Sequence, residues 1–130
     1  MRRLIFPIVA LAATLTAAPT LAAPQLADLG GTLRGTATAP ATGEVEVVEN
    51  NGHQFVKFGE NFSVASQAES EVRHIDGQTG AVTTIARLAN KSGYQVYEVP
   101  AGLSIDSADR IVVYSPLHAD ELATVNLVDE

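Results

Sequence analysis

From Gly43 onward, apolar and polar residues change places at almost every second position, and clusters of turn formers interrupt the alternation. Val45 and Val47 alternate with Glu44 and Glu46, the period of a strand with one buried face. Asn50-Asn51-Gly52 comes next, and Asn and Gly tolerate the positive φ that a tight hairpin needs, so His53 to Phe58 is the expected return strand. Gly59 predicts a bend or bulge, with Phe62-Ser63-Val64 extending or restarting that strand. Val72 to Ile75 reads as a short strand, Asp76 to Gly80 as a turn, and Val82 to Ile85 as a β-branched strand. Asn90-Lys91-Ser92-Gly93 turns the chain into Tyr94 to Val99, where Tyr94 and Val96 alternate with Gln95 and Tyr97. Pro100 cannot donate to a ladder, so it ends that strand or lies on an edge. Ile111 to Tyr114 is apolar on both faces, as a central covered strand would be. Leu117 to Leu122 predicts one helical turn, and Ala123 to Val128 the final strand.

Seven or eight short strands at roughly ten-residue spacing, with no long helix among them, predict an all-β fold. The expected form is a small antiparallel β-sandwich or a barrel-like module. It occupies residues 43–130. Residues 24–42, rich in Ala, Gly, Thr and Pro, read as a flexible leader whose first residues can still pair onto a sheet edge.

Residues 1–23 read as a signal peptide. Arg2 and Arg3 lead an apolar run from Leu4 to Leu15, and small residues around Ala22 and Ala23 offer a cleavage site. The run falls short of the ~20 residues that cross a bilayer. The signal is of bacterial type, which implies a periplasmic or secreted protein. Cleavage after Ala23 leaves 107 residues, enough for one small domain. The signal removes two of eight basic residues, leaving six against fifteen acids, a net charge of −9. That charge argues against nucleic acid and anionic membrane surfaces as partners, and leaves cations or a basic protein open. The absence of cysteine excludes disulfides, thiol redox chemistry, iron–sulfur clusters, thiolate zinc sites and covalent c-type haem.

Candidate chemistry is sparse. His53, His74 and His118 are the remaining nitrogen ligands, and a zinc or copper site would need all three to converge; otherwise they are solvated turn histidines. Ser115, His118 and Asp120 invite a hydrolase reading. The serine lacks the Gly-x-Ser-x-Gly elbow, however, and Pro116 follows it, so a serine capping a core strand is the plainer reading. Asp106, Asp109, Asp120 and Glu121 lack the glycine and distal glutamate of an EF-hand loop and read as solvated loop carboxylates. Glu44, Glu46 and Glu49 read as a solvated face that discourages edge pairing. Tyr94, Tyr97 and Tyr114 could face a ligand or pack in the core.

The stretch from Ile85 to Leu127, with GYQVYEVP and IVVYSPLHADELATVNL as its fixed points, resembles the DM-thirteen domain. The resemblance rests on Ala86-Arg87-Leu88, Lys91-Ser92-Gly93, Tyr97 to Pro100, the strand Ile111 to Tyr114, and Ala123 to Leu127. It implies a small secreted β module of the kind found beside DOMON and cytochrome domains, with a proposed part in electron transfer. Ser115 stands where that family places a cysteine, so a role resting on the thiol does not carry over. The combined expectation is an exported protein without enzymatic activity or cofactor. It would act as an interaction or ligand-binding module for an unknown protein or small ligand, through its loops. The resemblance implies one alternative, an auxiliary redox or metal-handling domain, which needs His53, His74 and His118 to cluster.

Overall fold

The computed structural model describes residues 28–36, 39–65 and 69–130; the expected signal peptide and the start of the expected leader lie outside them. The described residues form twelve strands: β1 (Leu29–Thr32), β2 (Arg34–Gly35), β3 (Ala41–Thr42), β4 (Glu44–Asn50), β5 (His53–Phe58), β6 (Ser63–Val64), β7 (Glu71–Ile75), β8 (Val82–Arg87), β9 (Gln95–Glu98), β10 (Arg110–Ser115), β11 (Asp120–Asn126) and β12 (Val128–Asp129). They build a first sheet in the order β9-β5-β4-β1-β12, a second in the order β2-β11-β10-β7-β8, and a two-stranded β3-β6. All pairings are antiparallel. The all-β expectation holds. The strand number exceeds it because four of the elements are two-residue pieces at corners and edges.

The period-2 alternation builds the core. Val45, Val47, Val56 and Phe58 from the first sheet meet Val72, Ile111, Val113, Ala123 and Val125 from the second in one buried cluster. Two sheets packed face to face in this way form a sandwich about 10 Å thick. The hairpin at Asn50-Asn51-Gly52 forms as the turn chemistry predicts, with Asn51 and Gly52 at φ of 56° and 81° and Val47 opposite Val56. Strand β10 sits mid-sheet between β11 and β7 with Ile111, Val112 and Val113 all buried. Two further glycines in positive φ close the turns after β7 and before β9, Gly80 at 75° and Gly93 at 92°.

Two expectations change. The leader is not a free segment from Leu29 onward, because β1 lies inside the first sheet between β4 and β12 and β2 closes an edge of the second. Gly30 and Gly31 hide the alternation, since they carry no side chain to display it. Gly31 has no room for one: a Cβ there would lie 2.5 Å from both the Asn126 carbonyl oxygen and Val125 Cγ2. Beside it, the chain passes from one sheet to the other at buried Leu33, between β1 and β2, and again at buried Leu127, between β11 and β12. These paired crossings join the sheets along one side, a corner made by strands that switch sheets.

The second change is at Leu117–Leu122, where the expected helical turn is a tight turn over 116–119 that runs straight into β11. Ala119 takes φ of 52°, which breaks a helix. The phase of β9, which the alternation leaves open, is set by the fold. Gln95 is buried and Tyr97 turns inward to meet Phe58 edge-on with ring centroids 5.9 Å apart. Tyr94 and Val96 point outward instead, 58% and 42% exposed.

Candidate functional site

The chemistry-bearing residues are dispersed. His53 lies on the outer face of the first sheet, where its Nδ1 is 3.1 Å from the Glu98 carboxylate. His74 lies in the second sheet, 2% exposed, with Nε2 2.7 Å from the Oδ2 of Asp109, itself 4% exposed. His118 is an exposed turn residue whose backbone N–H points at Ser115 Oγ, 3.4 Å away. Among the described residues no three His, Asp or Glu side chains gather as a metal ion would require. The reading of all three histidines as solvated is therefore corrected for His74, and that of solvated loop carboxylates for Asp109.

Those two side chains form a buried network. Asp109 Oδ1 accepts the Gly77 N–H at 2.9 Å, and Oδ2 accepts the Asp106 N–H at 3.1 Å as well as the His74 bond. Burial pushes the Asp109 carboxyl up, but the bonds from His74, Gly77 and Asp106 outweigh it and hold the group below its ordinary range. His74 Nδ1 is buried without a partner. A bare acceptor there costs less than a bare N–H beside a charge, so the proton sits on Nε2 and is donated to Asp109. The network ties the turn after β7 to the loop before β10. Nothing nucleophilic joins it. Ser115 points into the core four residues along β10 from Ile111, the partner of His74, which separates the two by about 13 Å. Fully buried, Ser115 accepts from its own turn and caps the strand end.

The three tyrosines also separate. The Tyr97 hydroxyl accepts the Ala89 N–H at 2.8 Å and is close to Gln95 Oε1, so it is committed inside; burial raises its pKa. Tyr114 is half-buried beneath the Arg73 guanidinium, 3.8 Å from its ring centre. Tyr94 alone of the three is well exposed.

What the outward phase of β9 creates is a surface. Along the outer face of the first sheet, Glu46, Lys57 and Val96 lie side by side across β4, β5 and β9, and the next row is Val48, Phe55 and Glu98. A hollow of about 240 Å³ is lined by Val48, Asn50, Phe55, Lys57, Tyr94 and Val96. It shares Lys57 and Tyr94 with one of about 220 Å³ that reaches Glu44, Glu46 and Gly59. Beyond His53, a third of about 290 Å³ opens between the Gly52 turn and the loop Val99–Ser104. Gln54 fixes that loop: its amide donates to the Ile105 carbonyl at 2.9 Å and accepts the Ile105 N–H at 2.8 Å, as a strand neighbour would. The alternation of β4 supplies one side of this face, but its β9 side and the Gln54 clamp, across 51 residues of chain, had no local signal. Comparison of the chain with protein-family models, curated proteins and solved structures finds no match.

Proposed function

We propose that this chain is an exported, non-catalytic interaction module, and that it engages its partner on the outer face of the first sheet. One observation carries the reading. Two hollows that share Lys57 and Tyr94 run along this face over a well-packed sheet, and a third opens at its Gly52 end, whereas the three histidines, Ser115 and the acidic loop residues do not come together. Exposed apolar and aromatic residues in a shallow concave strip suit association rather than bond chemistry. A general base or nucleophile needs a partner within hydrogen-bond reach and access to substrate; His74 and Ser115 have no such access.

The DM-thirteen resemblance belongs with this proposal as a scaffold used without its thiol. The site expected in the loops moves onto the sheet, with the Gln54-held loop forming one end. The decisive experiment is an assay of the purified protein against ester, glycoside and peptide substrates. No turnover is expected, and turnover that co-purifies with the folded protein would sink the reading.

A further inference from the structure

The trough between β4 and β9 has a length and a charge pattern that specify an occupant. From Glu44 to Asn50 the floor covers one full strand, about 20 Å, which an extended segment of about six residues spans. Its middle is apolar: Val48, Phe55, Val96 and the ring of Tyr94. Carboxylates flank it on both sides, Glu44 and Glu46 along β4 and Glu98 beside Phe55 on β9, against the cation Lys57 between them and the His53 already facing Glu98. Beyond β4, the Glu130 carboxylate lies against Gly30, adding to the same field. Burial, then Glu46, Asp28 and Glu44, hold the Glu130 carboxyl above its ordinary range.

The opposite face differs. Arg34, Arg73 and Arg110 lie on the outward positions of the second sheet with Arg87, four of the six basic residues in 28–130, paired in part with Glu71 and Glu121. The negative charge of the molecule is therefore segregated toward the first sheet. We propose that this trough binds an extended, basic segment of a partner protein, with lysine or arginine at both ends and an apolar or aromatic centre seated among Val48, Phe55, Tyr94 and Val96. The ends supply charge complementarity and steering, the centre the desolvated contact. A second copy is disfavoured, because two molecules of net charge −9 repel before their faces meet.

The inference rests on the interaction-module reading, and its test separates the two. The probe is a dye-labelled hexapeptide with two lysines on each side of a leucine–phenylalanine centre, titrated into the purified protein by fluorescence anisotropy. Its counterpart carries glutamates in place of the lysines. Saturable binding of the lysine peptide alone is expected, weakening as salt is raised. The pair Glu44→Lys and Glu46→Lys should weaken it by about tenfold or more, and Val96→Ser by about threefold to tenfold. The pair Glu69→Lys and Glu121→Lys makes the same change in net charge elsewhere and should alter affinity by less than about twofold. Amide shifts on binding should fall at Val48, Phe55, Tyr94 and Val96. No saturable binding, equal binding of the glutamate peptide, or equal weakening by the control pair would overturn the proposal. So would self-association by sedimentation that Glu44→Lys and Glu46→Lys abolish. Shifts confined to the second sheet would refute this trough while leaving an interaction module intact; turnover would refute the module itself.

Discussion

Asp109→Ala is the most informative single change in this fold, because one carboxylate holds three donors from three segments. The His74 Nε2–H is buried and would lose its only acceptor, which costs about 1–3 kcal/mol for an unsatisfied group. The Gly77 and Asp106 N–H groups sit at exposed residues and can turn to water, so each loses only the net worth of a hydrogen bond, about 0.5–1.5 kcal/mol. The sum is about 2–6 kcal/mol, a range that brackets the usual cost of breaking a buried pair. For a domain of this size that lowers Tm by about 10–30 °C. The assay is urea and thermal unfolding followed by far-UV circular dichroism, with His74→Leu and the double variant completing a cycle. The double variant should be less destabilised than the sum of the singles, since it leaves no buried imidazole unpaired. The pH dependence has a definite sign. A folded-state pKa held below the unfolded one contributes stability that is present above the unfolded value and lost as pH falls through the folded value. The gap between wild type and Asp109→Ala should thus be full near neutrality and close below about pH 4. A cost under about 1 kcal/mol, or a gap that is unchanged in acid, would refute the network as described.

Three further outcomes follow from particular contacts. In Gly77→Ala a Cβ would lie 1.8 Å from the Ala108 carbonyl oxygen, so the two turns must separate; denaturant titration should show a loss of about 2–3 kcal/mol. Gly80→Ala, with open space but φ of 75°, should cost about 1 kcal/mol; equal losses would contradict the close approach. Gln54→Leu removes both bonds to the Ile105 backbone and should cost about 2–4 kcal/mol. It should also speed limited proteolysis between Pro100 and Ser104 under native conditions, and an unchanged cleavage rate would count against the clamp. Glu46→Gln should move the Glu130 titration, followed by carboxyl NMR, down toward the ordinary carboxylate range, and a stationary curve would deny that the two share a field.

Much of the fold is legible in the chain because local chemistry and global packing agree there. Val45 and Val47 face inward, Asn51 and Gly52 turn, and Ile111 to Val113 is covered on both sides, each for the reason its residue types suggest. What escapes is what depends on distant partners. Gly31 looks like linker because its role is to let the second sheet's strand pass close by, and that neighbour, Val125-Asn126, lies far away in sequence. His74 reads as a surface histidine until Asp109, 35 residues on, arrives beside it.

The face proposed for binding was lost for a subtler reason. Alternation gives the period of a strand but not its phase, and a slip of one residue exchanges the buried and exposed sets. In β9 the two sets are nearly balanced: Tyr94 with Val96, or Gln95 with Tyr97. Hydropathy favours burying the first pair. The structure buries the second, because the Gln95 amide donates to the carbonyls of Asn90 and Gly93 and accepts the Asn90 N–H, while the Tyr97 hydroxyl takes the Ala89 N–H. Those bonds tie the turn from Ala89 to Gly93 to the inward side chains of β9. Tyr97 keeps its ring against Phe58 at little loss of apolar burial. The demand of one turn for partners therefore sets the phase of the strand, and that phase is what brings Tyr94 and Val96 to the surface beside Phe55 and Val48.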